Sequence, residues 1–498
     1  MVGTAWWDDV NVARVKEDPL ATVLRVPNYR AQVTDAGPGK AVVGARVDLT
    51  DYDPLTLKDV ALAWSILSND RVVKRGTENR IEGDKGLQPL VSAGKEVTLD
   101  IPVASLAPGA YVIEVSLINK VTSEVLSTKR HALHRTKAGP ERAVYVDEHN
   151  RLIFHGEPFF PLGMYWGNVT KEELNVYADS AFNCLMPYSP PDQQQMDLCH
   201  ERGLKVIYSV KDIYYGTQYC PGNIKSEAEE LPFIKSKVEA FRNHPALLAW
   251  YINDELGLDL LGRLTQRRDQ METLDPGHPA WVVLYQVDQI AQYLPSFDII
   301  GTDPYPIPDR PAAMAAEWTQ KTVTGVQHAR PVWQVPQIFN WACYRKTDAE
   351  EQKCRPPTLE EMRSMAWQCI AEGANGIVFY CWTDLRRNAA TPFEESWSRV
   401  KTVAQEIKAM IPVLLSVEKP PRIEAPDEPW LNWTAKRLGH TTYLIAVNNA
   451  PQPHTAEFRL SQEPKTIRLS DGTSLPRQGK RLTVEFDPLA VRIVGLMQ

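Results

Sequence analysis

The chain has 498 residues and a formal net charge of −7 at pH 7, with 55 Lys and Arg against 62 Asp and Glu. This length exceeds what one hydrophobic core normally organises, so two or three domains are expected. Without a block of Lys and Arg, the acidic balance gives no reason to expect nucleic acid or a membrane surface as a partner, and no apolar run approaches the length of a membrane span.

The aromatic, cysteine and histidine residues narrow the class of protein. Fourteen Trp and eighteen Tyr suit the faces and hydroxyls of sugars, although many will be core residues. Four of the seven cysteines lie in apolar segments and are expected to be buried free thiols: Cys184, Cys199, Cys369 and Cys381. Cys343 and Cys354 flank a polar stretch and are candidates for a loop disulfide. His131 and His134 lie in a strand-like segment and are expected to be structural, so the sequence predicts no metal site and no cofactor.

Residues 1–138 are predicted to form an N-terminal β-sandwich. Short runs rich in Val, Leu, Thr and Tyr cover Lys40 to Leu49, Val60 to Ile66, Glu96 to Ile101 and Gly109 to Ile118. Turn residues separate them at Asp35 to Gly39 and at Ala107 to Gly109, which is typical of an antiparallel sandwich. Thr136 to Pro140 indicates a linker. Met1 to Asp9 lack the basic and long apolar regions of a signal peptide.

Residues 139–412 alternate apolar strands with amphipathic helices, which predicts a (β/α)₈ barrel. The eight predicted strands are Phe159 to Tyr165, Cys184 to Pro187, Leu204 to Val210, Leu247 to Ile252, Ala280 to Leu284, Asp298 to Thr302, Val332 to Pro336 and Gly376 to Cys381. Thr170 with Glu173, and Thr358 with Glu361, predict capping boxes at two helix starts. The helix after strand five is predicted to be only a turn or two, and Trp397 to Met410 to close the barrel.

Residues 413–498 return to strands and are predicted to form a second, smaller β-sandwich. The strands are Trp430 to Ala435, Thr441 to Asn448, Thr455 to Leu460, Thr466 to Leu469, Arg481 to Glu485 and Ala490 to Leu496.

The fourth barrel strand ends abruptly in Asn253, Asp254 and Glu255. Two adjacent acids repel one another, so a cleft that holds both should raise the pKa of at least one, which could then donate a proton near neutral pH. The alternative is that the acids cap the helix predicted from Leu256 to Thr273. Polar and aromatic residues also follow the other strands, and the carboxyl ends of barrel strands are where such enzymes hold their active sites. This clustering favours an active site.

Several short motifs resemble those of retaining glycoside hydrolases with a β-sandwich followed by a (β/α)₈ barrel. They are the phrase from Leu152 to Tyr165, the acid after strand four, the turn Asp303-Pro-Tyr-Pro306, and Tyr380-Cys-Trp382 on strand eight. The resemblance covers about residues 140 to 412. It implies a carbohydrate substrate and a secreted or periplasmic location, and it leaves the oligomeric state open.

In that superfamily an acid/base Glu follows strand four, which Glu255 matches, and a nucleophilic Glu ends strand seven. Here strand seven offers Gln334 and Gln337, and an amide cannot form a stable glycosyl ester. The adjacent Asp254 and Glu255 are similar to the pair of β-N-acetylhexosaminidases, including bacterial β-N-acetylgalactosaminidases. The resemblance implies that the 2-acetamido group of the substrate is the nucleophile, that Asp254 orients it, and that Glu255 is general acid and then base.

The same resemblance suggests roles for other strand-end residues. Tyr305 would donate its hydroxyl to the acetamide carbonyl, or would be a turn aromatic between two prolines. Trp382 would form the floor under the sugar, or would be a core residue at the barrel mouth. Gln337 and Asp384 would bind hydroxyls. The remaining predicted substrate-binding residues are Tyr165, Asn253 and Asp303.

Neighbouring strand residues point to opposite faces, so Asp254 and Glu255 can share a substrate only if strand four ends in a bulge or turn. Two other functions stay open. A β-galactosidase-like β-glycosidase would take its second carboxylate from Asp303 or Asp384, with a separation of about 5.5 Å from Glu255 for retention and a wider gap for inversion. A carbohydrate-binding barrel without catalysis would bind sugars without turnover.

Overall fold

The structure is a computed structural model that describes residues 16–34, 37, 39–78, 95–136, 143–387, 390–476 and 478–497. The chain divides into two compact units, Met1–Gly139 and Pro140–Gln498. The predicted linker lies outside the described residues except for Thr136, and the predicted turn from Asp35 to Gly39 is described only at Gly37 and Gly39.

The first unit contains the predicted β-sandwich. One antiparallel sheet joins Leu20–Val26, Lys40–Val47 and Lys95–Pro102, and the other has the order Gln32–Val33, Val125–Arg135, Gly109–Asn119, Val60–Ser68 and Arg71–Glu78. The two-residue strand pairs in parallel and the longer ones are antiparallel. Ile113, Val115 and Leu117 are fully buried because alternate residues of their strand face one side. The His131 ring bonds the Thr22 hydroxyl at 2.8 Å, in keeping with a structural role.

The second unit contains the predicted eight-stranded parallel barrel. We number its strands β1 Leu162–Trp166, β2 Cys184–Pro187, β3 Lys205–Ser209, β4 Leu247–Asp254, β5 Ala280–Val283, β6 Ile299–Gly301, β7 Trp333–Gln334 and β8 Gly376–Phe379. The order is β6-β5-β4-β3-β2-β1-β8-β7, and every predicted strand is present. A small antiparallel sheet of Val144–Val146, Leu152–Phe154 and Glu157–Phe159 leads into β1. The fold class predicted from the sequence is confirmed.

One parallel bridge, between Ile300 and Val332, closes the barrel between β6 and β7. A Cβ on Gly301 would lie 2.2 Å from the carbonyl oxygen of Trp333, so this approach requires glycine. The Gln334 side chain reinforces the seam, since its Oε1 accepts from the Thr302 N–H at 2.7 Å and its Nε2 donates to Thr319 Oγ1 at 2.8 Å. The Gln334 side chain on β7 therefore has a structural role in closing the barrel.

Helices cover the outside of the barrel. The α-helices are Lys171–Ala178, Gln193–Glu201, Glu230–Phe241, Leu261–Leu274, Ile290–Tyr293, Met314–Gly325, Asp348–Glu351, Leu359–Ala371, Trp382–Arg387 and Phe393–Leu414. Short 3₁₀ turns lie at Glu227–Glu229, Leu258–Leu260, Val287–Gln289, Leu294–Ser296 and Trp341–Tyr344. The connection after β5 is a single short turn of α-helix between 3₁₀ turns, as predicted.

The helix caps are partly as predicted. The capping box of Thr358 and Glu361 is confirmed. Thr170 accepts from the backbone of Glu173, but the reciprocal half of that predicted box is wrong. The Glu173 carboxylate instead accepts from Trp382 Nε1 at 2.6 Å and pairs with Arg386 at 2.9 Å, because a charge-assisted ion pair competes with the local bond.

The C-terminal strands form the predicted second sandwich. One sheet orders Leu431–Leu438, Thr441–Asn448, Val491–Met497 and Thr466–Leu469, and the other orders Ile423–Glu424, His454–Leu460 and Arg481–Phe486. All seven cysteines are free thiols, so the suggested bridge between Cys343 and Cys354 is absent. Within the described ranges, no helix combines the length and apolar character that crossing a membrane requires.

Candidate active site

The end of β4 turns both predicted acids toward one site. Tyr251 pairs with Trp281 while Asn253 pairs with Val282, so the parallel register shifts by one residue at this point. Glu255 then adopts φ +59°, a left-handed conformation that is uncommon for a residue with a side chain. Its N–H donates to the Val283 carbonyl at 2.9 Å. The bulge that adjacent acids require is therefore confirmed, and the predicted alternative of a helix cap does not apply, because the α-helix that follows β4 begins only at Leu261.

Asp254 is held by a buried lysine and a chain of tyrosine hydroxyls. Lys211 Nζ lies 3.0 Å from Asp254 Oδ2 and 2.8 Å from Asp212 Oδ1, and the lysine side chain is only 5% exposed. The Tyr251 hydroxyl donates to Asp254 Oδ1 at 2.6 Å, and the Tyr165 hydroxyl donates to Tyr251 at 2.9 Å. These contacts fix the rotamer of Asp254 and give it a positive neighbour.

Glu255 has a different neighbour, the carboxyl group of Asp303. The two carboxyl groups lie close enough for each to affect the protonation of the other. Burial raises the pKa of Asp303 well above its usual range, and the nearby Glu255 and Asp254 raise it further. Partial burial also raises the pKa of Glu255, an effect that Asp254 strengthens. Two charged carboxyl groups this close would repel each other, so at least one of them is protonated; Asp303 is the more deeply buried of the two, and Glu255 lies on the solvent side.

A cluster of tyrosines surrounds the acids. The ring centroid of Tyr380 lies 5.2 Å from that of Tyr165 and 5.3 Å from that of Tyr305. The ring centroids of Tyr165 and Tyr188 are 5.5 Å apart. Burial raises the pKa of Tyr165, Tyr188 and Tyr305 well above the usual value, so their hydroxyls stay protonated as donors. Aromatic faces beside hydroxyl donors and carboxylates are suited to a sugar.

Gln337 and Asp384 do not join this group. Gln337 is fully buried, and its amide bonds the backbone N–H and carbonyl of Ile307, which fixes the loop after Tyr305. Asp384 is 1% exposed, accepts from the Tyr344 hydroxyl at 2.6 Å and pairs with Arg387 at 3.0 Å. Both side chains use their polar atoms internally, which corrects the prediction that they bind sugar hydroxyls.

Trp382 also lies outside the group. Its ring is 3% exposed and stacks on Trp166 with centroids 4.3 Å apart, and its N–H is bonded to Glu173. The structure places it in the core between β1 and the closing helix, which corrects the prediction of a sugar floor. Asn253 is buried as well, with its Oδ1 accepting from the Leu256 N–H at 3.2 Å.

We expect Trp382→Ala to lower the free energy of unfolding by about 3–5 kcal/mol, because it removes a large buried ring and leaves Glu173 with Arg386 as its remaining side-chain donor. The milder Trp382→Phe should leave KM for a glycoside within about twofold of the parent value while still lowering the stability. Urea unfolding and steady-state kinetics on both variants check this. A large rise in KM without loss of stability would return Trp382 to the site.

Four residues at the site had no predicted role: Lys211, Tyr188, Tyr251 and Tyr380. Lys211 and Tyr188 follow predicted strands, and at such positions no sequence pattern distinguishes a site residue from an ordinary loop residue. Tyr251 lies inside an apolar run and looks like core, and only its spacing of three residues from Asp254 hints at a contact across the bulge. Among the described residues, no group of three or more His, Cys, Asp or Glu is arranged to hold a metal ion.

Comparison with known proteins bears on the fold. No family model and no curated protein matches the chain. A solved glycoside hydrolase superposes with a TM-score of 0.52 at 12% identity, over 72% of this chain and 97% of that one. The chain shares its fold.

Two further structures superpose less closely. A glycosyl hydrolase family 2 member from Bacteroides cellulosilyticus has 14% identity over 91% of this chain and 60% of that one, with a TM-score of 0.36. A β-glucuronidase from Ruminococcus gnavus has 13% identity over 72% and 61%, with the same TM-score. At these identities the comparisons describe architecture only, so the function is argued from the site.

Proposed function

We propose that the chain is a glycoside hydrolase of the retaining β-N-acetylhexosaminidase type, with Glu255 as general acid and base and Asp254 as the group that orients the acetamide. The observation that carries this proposal is the contrast between two adjacent carboxyl groups turned into one site. Asp254 faces the Lys211 ammonium, whereas Glu255 lies beside Asp303, and burial raises the pKa of both of these carboxyl groups. Pairs of carboxyl groups in opposed electrostatic surroundings divide into a proton donor and a charged partner.

The internal contacts of the strand-end side chains, as far as the structure describes them, support substrate assistance. Gln334 and Gln337 are committed to the framework, and Asp384 is buried against Arg387. Asp303 lies beside Glu255 and affects its protonation, whereas the two carboxyl groups of a retaining pair stand about 5–5.5 Å apart across the sugar. The nucleophile that fits this arrangement is the acetamide oxygen of the sugar.

The reaction then has two steps. Glu255 protonates the glycosidic oxygen while the acetamide oxygen attacks the anomeric carbon, the aglycone departs as an alcohol, and an oxazolinium ion forms. Asp254 accepts the acetamide N–H and stabilises the positive charge, and the Tyr305 hydroxyl donates to the acetamide carbonyl. Glu255, now a carboxylate, removes a proton from water as the water oxygen attacks the anomeric carbon and opens the oxazolinium ring. Two inversions give net retention.

The second candidate is a β-glycosidase in which Asp303 acts as the second carboxylate. Its supporting observation is the contact between Asp303 and Glu255, since any sugar that separates the two groups would place them on either side of the anomeric carbon. In this mechanism Asp303 would have to lose its proton and withdraw from Glu255 on binding.

Paired aryl glycosides separate these functions. We expect hydrolysis of aryl β-N-acetylgalactosaminide, with the glucosaminide as the related substrate, and no hydrolysis of the aryl β-galactoside or β-glucoside. Without a 2-acetamido group the nucleophile is missing, so the difference in kcat/KM should be at least about 10³-fold. Comparable hydrolysis of plain glycosides would contradict substrate assistance and favour Asp303. Sugar binding by calorimetry without turnover of any substrate would indicate a binding protein.

A further inference from the structure

A second cavity lies at the opposite end of the barrel from the acids, where the barrel meets the C-terminal sandwich. Its volume is about 100 Å³, it is open to solvent, and its walls include Phe160 before β1, Leu414 and Leu415 at the end of the closing helix, and Lys436 on the sandwich strand Leu431–Leu438. The walls thus come from both parts of the second unit.

Lys436 has no counter-charge in this cavity. Its ammonium makes no hydrogen bond or ion pair within the part of the chain that the structure describes. Burial lowers the pKa of Lys436, and the nearby Arg151 lowers it further. Thr434 lies two residues earlier on the same strand, so its side chain faces the same side and also lines the cavity. The Lys436 side chain is only partly buried, so its charge is partly removed from water without an acidic partner, and a bound anion would compensate it.

The charge and lining of the cavity restrict the ligand. Arg151 is already neutralised, because its Nε lies 2.7 Å from Asp147 Oδ2 and its Nη1 donates to the Leu415 carbonyl at 2.9 Å. One positive charge, that of Lys436, is therefore left over. Phe160, Leu414 and Leu415 supply apolar wall beside it. A single uncompensated charge beside an apolar wall matches a monoanion with an apolar body better than a dianion such as phosphate.

We propose that this cavity binds a small monocarboxylate with a short apolar chain, with its carboxylate on Lys436 and its chain against Phe160, Leu414 and Leu415. The site is separate from the acids of β4, and the proposal does not depend on the proposed glycosidase activity. A bound carboxylate would join the sandwich strand to the end of the closing helix and so stabilise the second unit against unfolding.

The test uses the full chain with butyrate as probe, measured by calorimetry and by the shift in Tm. We expect butyrate to bind the parent protein and raise its Tm. Lys436→Met should weaken binding at least about tenfold, the loss of one charge-assisted hydrogen bond. Lys408→Met is the matched control, since Lys408 is exposed on the closing helix, and it should bind butyrate as the parent does. Affinity should also fall with rising pH before the ordinary lysine value of about 10.4 is reached.

Each contrary result overturns the proposal. The first such result is that the parent protein does not bind butyrate, and the second is that Lys436→Met binds butyrate as tightly as the parent does. The third is that the parent binds butan-1-ol, which lacks the charge, as tightly as butyrate. The fourth is that it binds inorganic phosphate, which lacks the apolar chain, as tightly as butyrate. Because the parent protein and three probes are compared in the same fold, a folding defect in the Lys436 variant would not hide the answer.

Discussion

Glu255→Gln should lower kcat/KM for an aryl glycoside by roughly 10³-fold, since an amide cannot transfer a proton to the glycosidic oxygen and positioned acid catalysis contributes about 10²–10⁴-fold. The loss should be greater for a poor leaving group than for a dinitrophenolate, which departs without protonation. The fold should be unchanged, because glutamine has nearly the same size as glutamate and the β4 bulge depends on the backbone of residue 255. Glu428→Gln, an exposed position in the C-terminal sandwich, is the matched control.

The pH profile of the parent enzyme gives a second readout of the same residue. Glu255 must be protonated to act as the acid, and burial raises its pKa. Activity should therefore persist above the ordinary glutamate range and fall as the pH rises through this raised pKa. With a dinitrophenyl leaving group, which departs without protonation, this fall in activity at high pH should become smaller. A Glu255→Gln variant with near-parental activity on poor leaving groups would assign the acid elsewhere, first to Asp303.

Asp254→Asn should lower kcat/KM for an acetamido glycoside by about 10²–10³-fold, which is the usual cost of removing one preorganised electrostatic contact to a transition state. The variant loses the charge that faces the oxazolinium ion and leaves the buried Lys211 with Asp212 as its remaining acidic partner. The fall should appear mainly in kcat, because the charge of the sugar develops after binding.

Asp212→Asn is the matched control for this effect. It removes the other carboxylate of Lys211, at a similar distance from the ammonium, but outside the pair turned by the bulge. We expect it to change kcat/KM only a few-fold. Equal losses in the two variants would show that the charge of Lys211, and not the contact of Asp254 with the acetamide, governs the rate.

Much of the fold could be predicted because the barrel strands are apolar runs that end in polar turns. Cys184–Pro187 and Thr441–Asn448 have the predicted bounds. Gly203 and Gly373 each lie between a helix and the next strand and adopt a positive φ, as tight turns after helices require. The bulge at the end of β4 could be predicted from chemistry alone, since two adjacent acids can reach one site in no simpler way.

Side-chain direction at the strand ends could not be predicted. Gln337, Trp382 and Asp384 follow strands just as Asp303 does, yet they turn into the framework, because the loops and helices that receive them offer Ile307, Glu173 and Arg387 as partners. Those partners lie 30 residues away for Gln337, 209 for Trp382 and 3 for Asp384. Sequence patterns carry no information on contacts at separations of 30 and 209 residues, whereas the pair of Asp384 and Arg387 has the local spacing of one helical turn. Tyr251 could not be predicted as a site residue for a different reason. It lies within an apolar run, and such a run predicts a core side chain and not a hydroxyl donor.

The barrel strands are not paired equally around the circumference. β4 and β5 are joined by four register pairs, whereas the β6 and β7 segments meet at one bridge, two backbone hydrogen bonds and the Gln334 side chain. Asp254 and Glu255 follow the densely paired side, and Asp303 follows the sparsely paired one. The carboxyl groups on the two sides of the candidate site therefore do not rest on equivalent hydrogen-bond ladders.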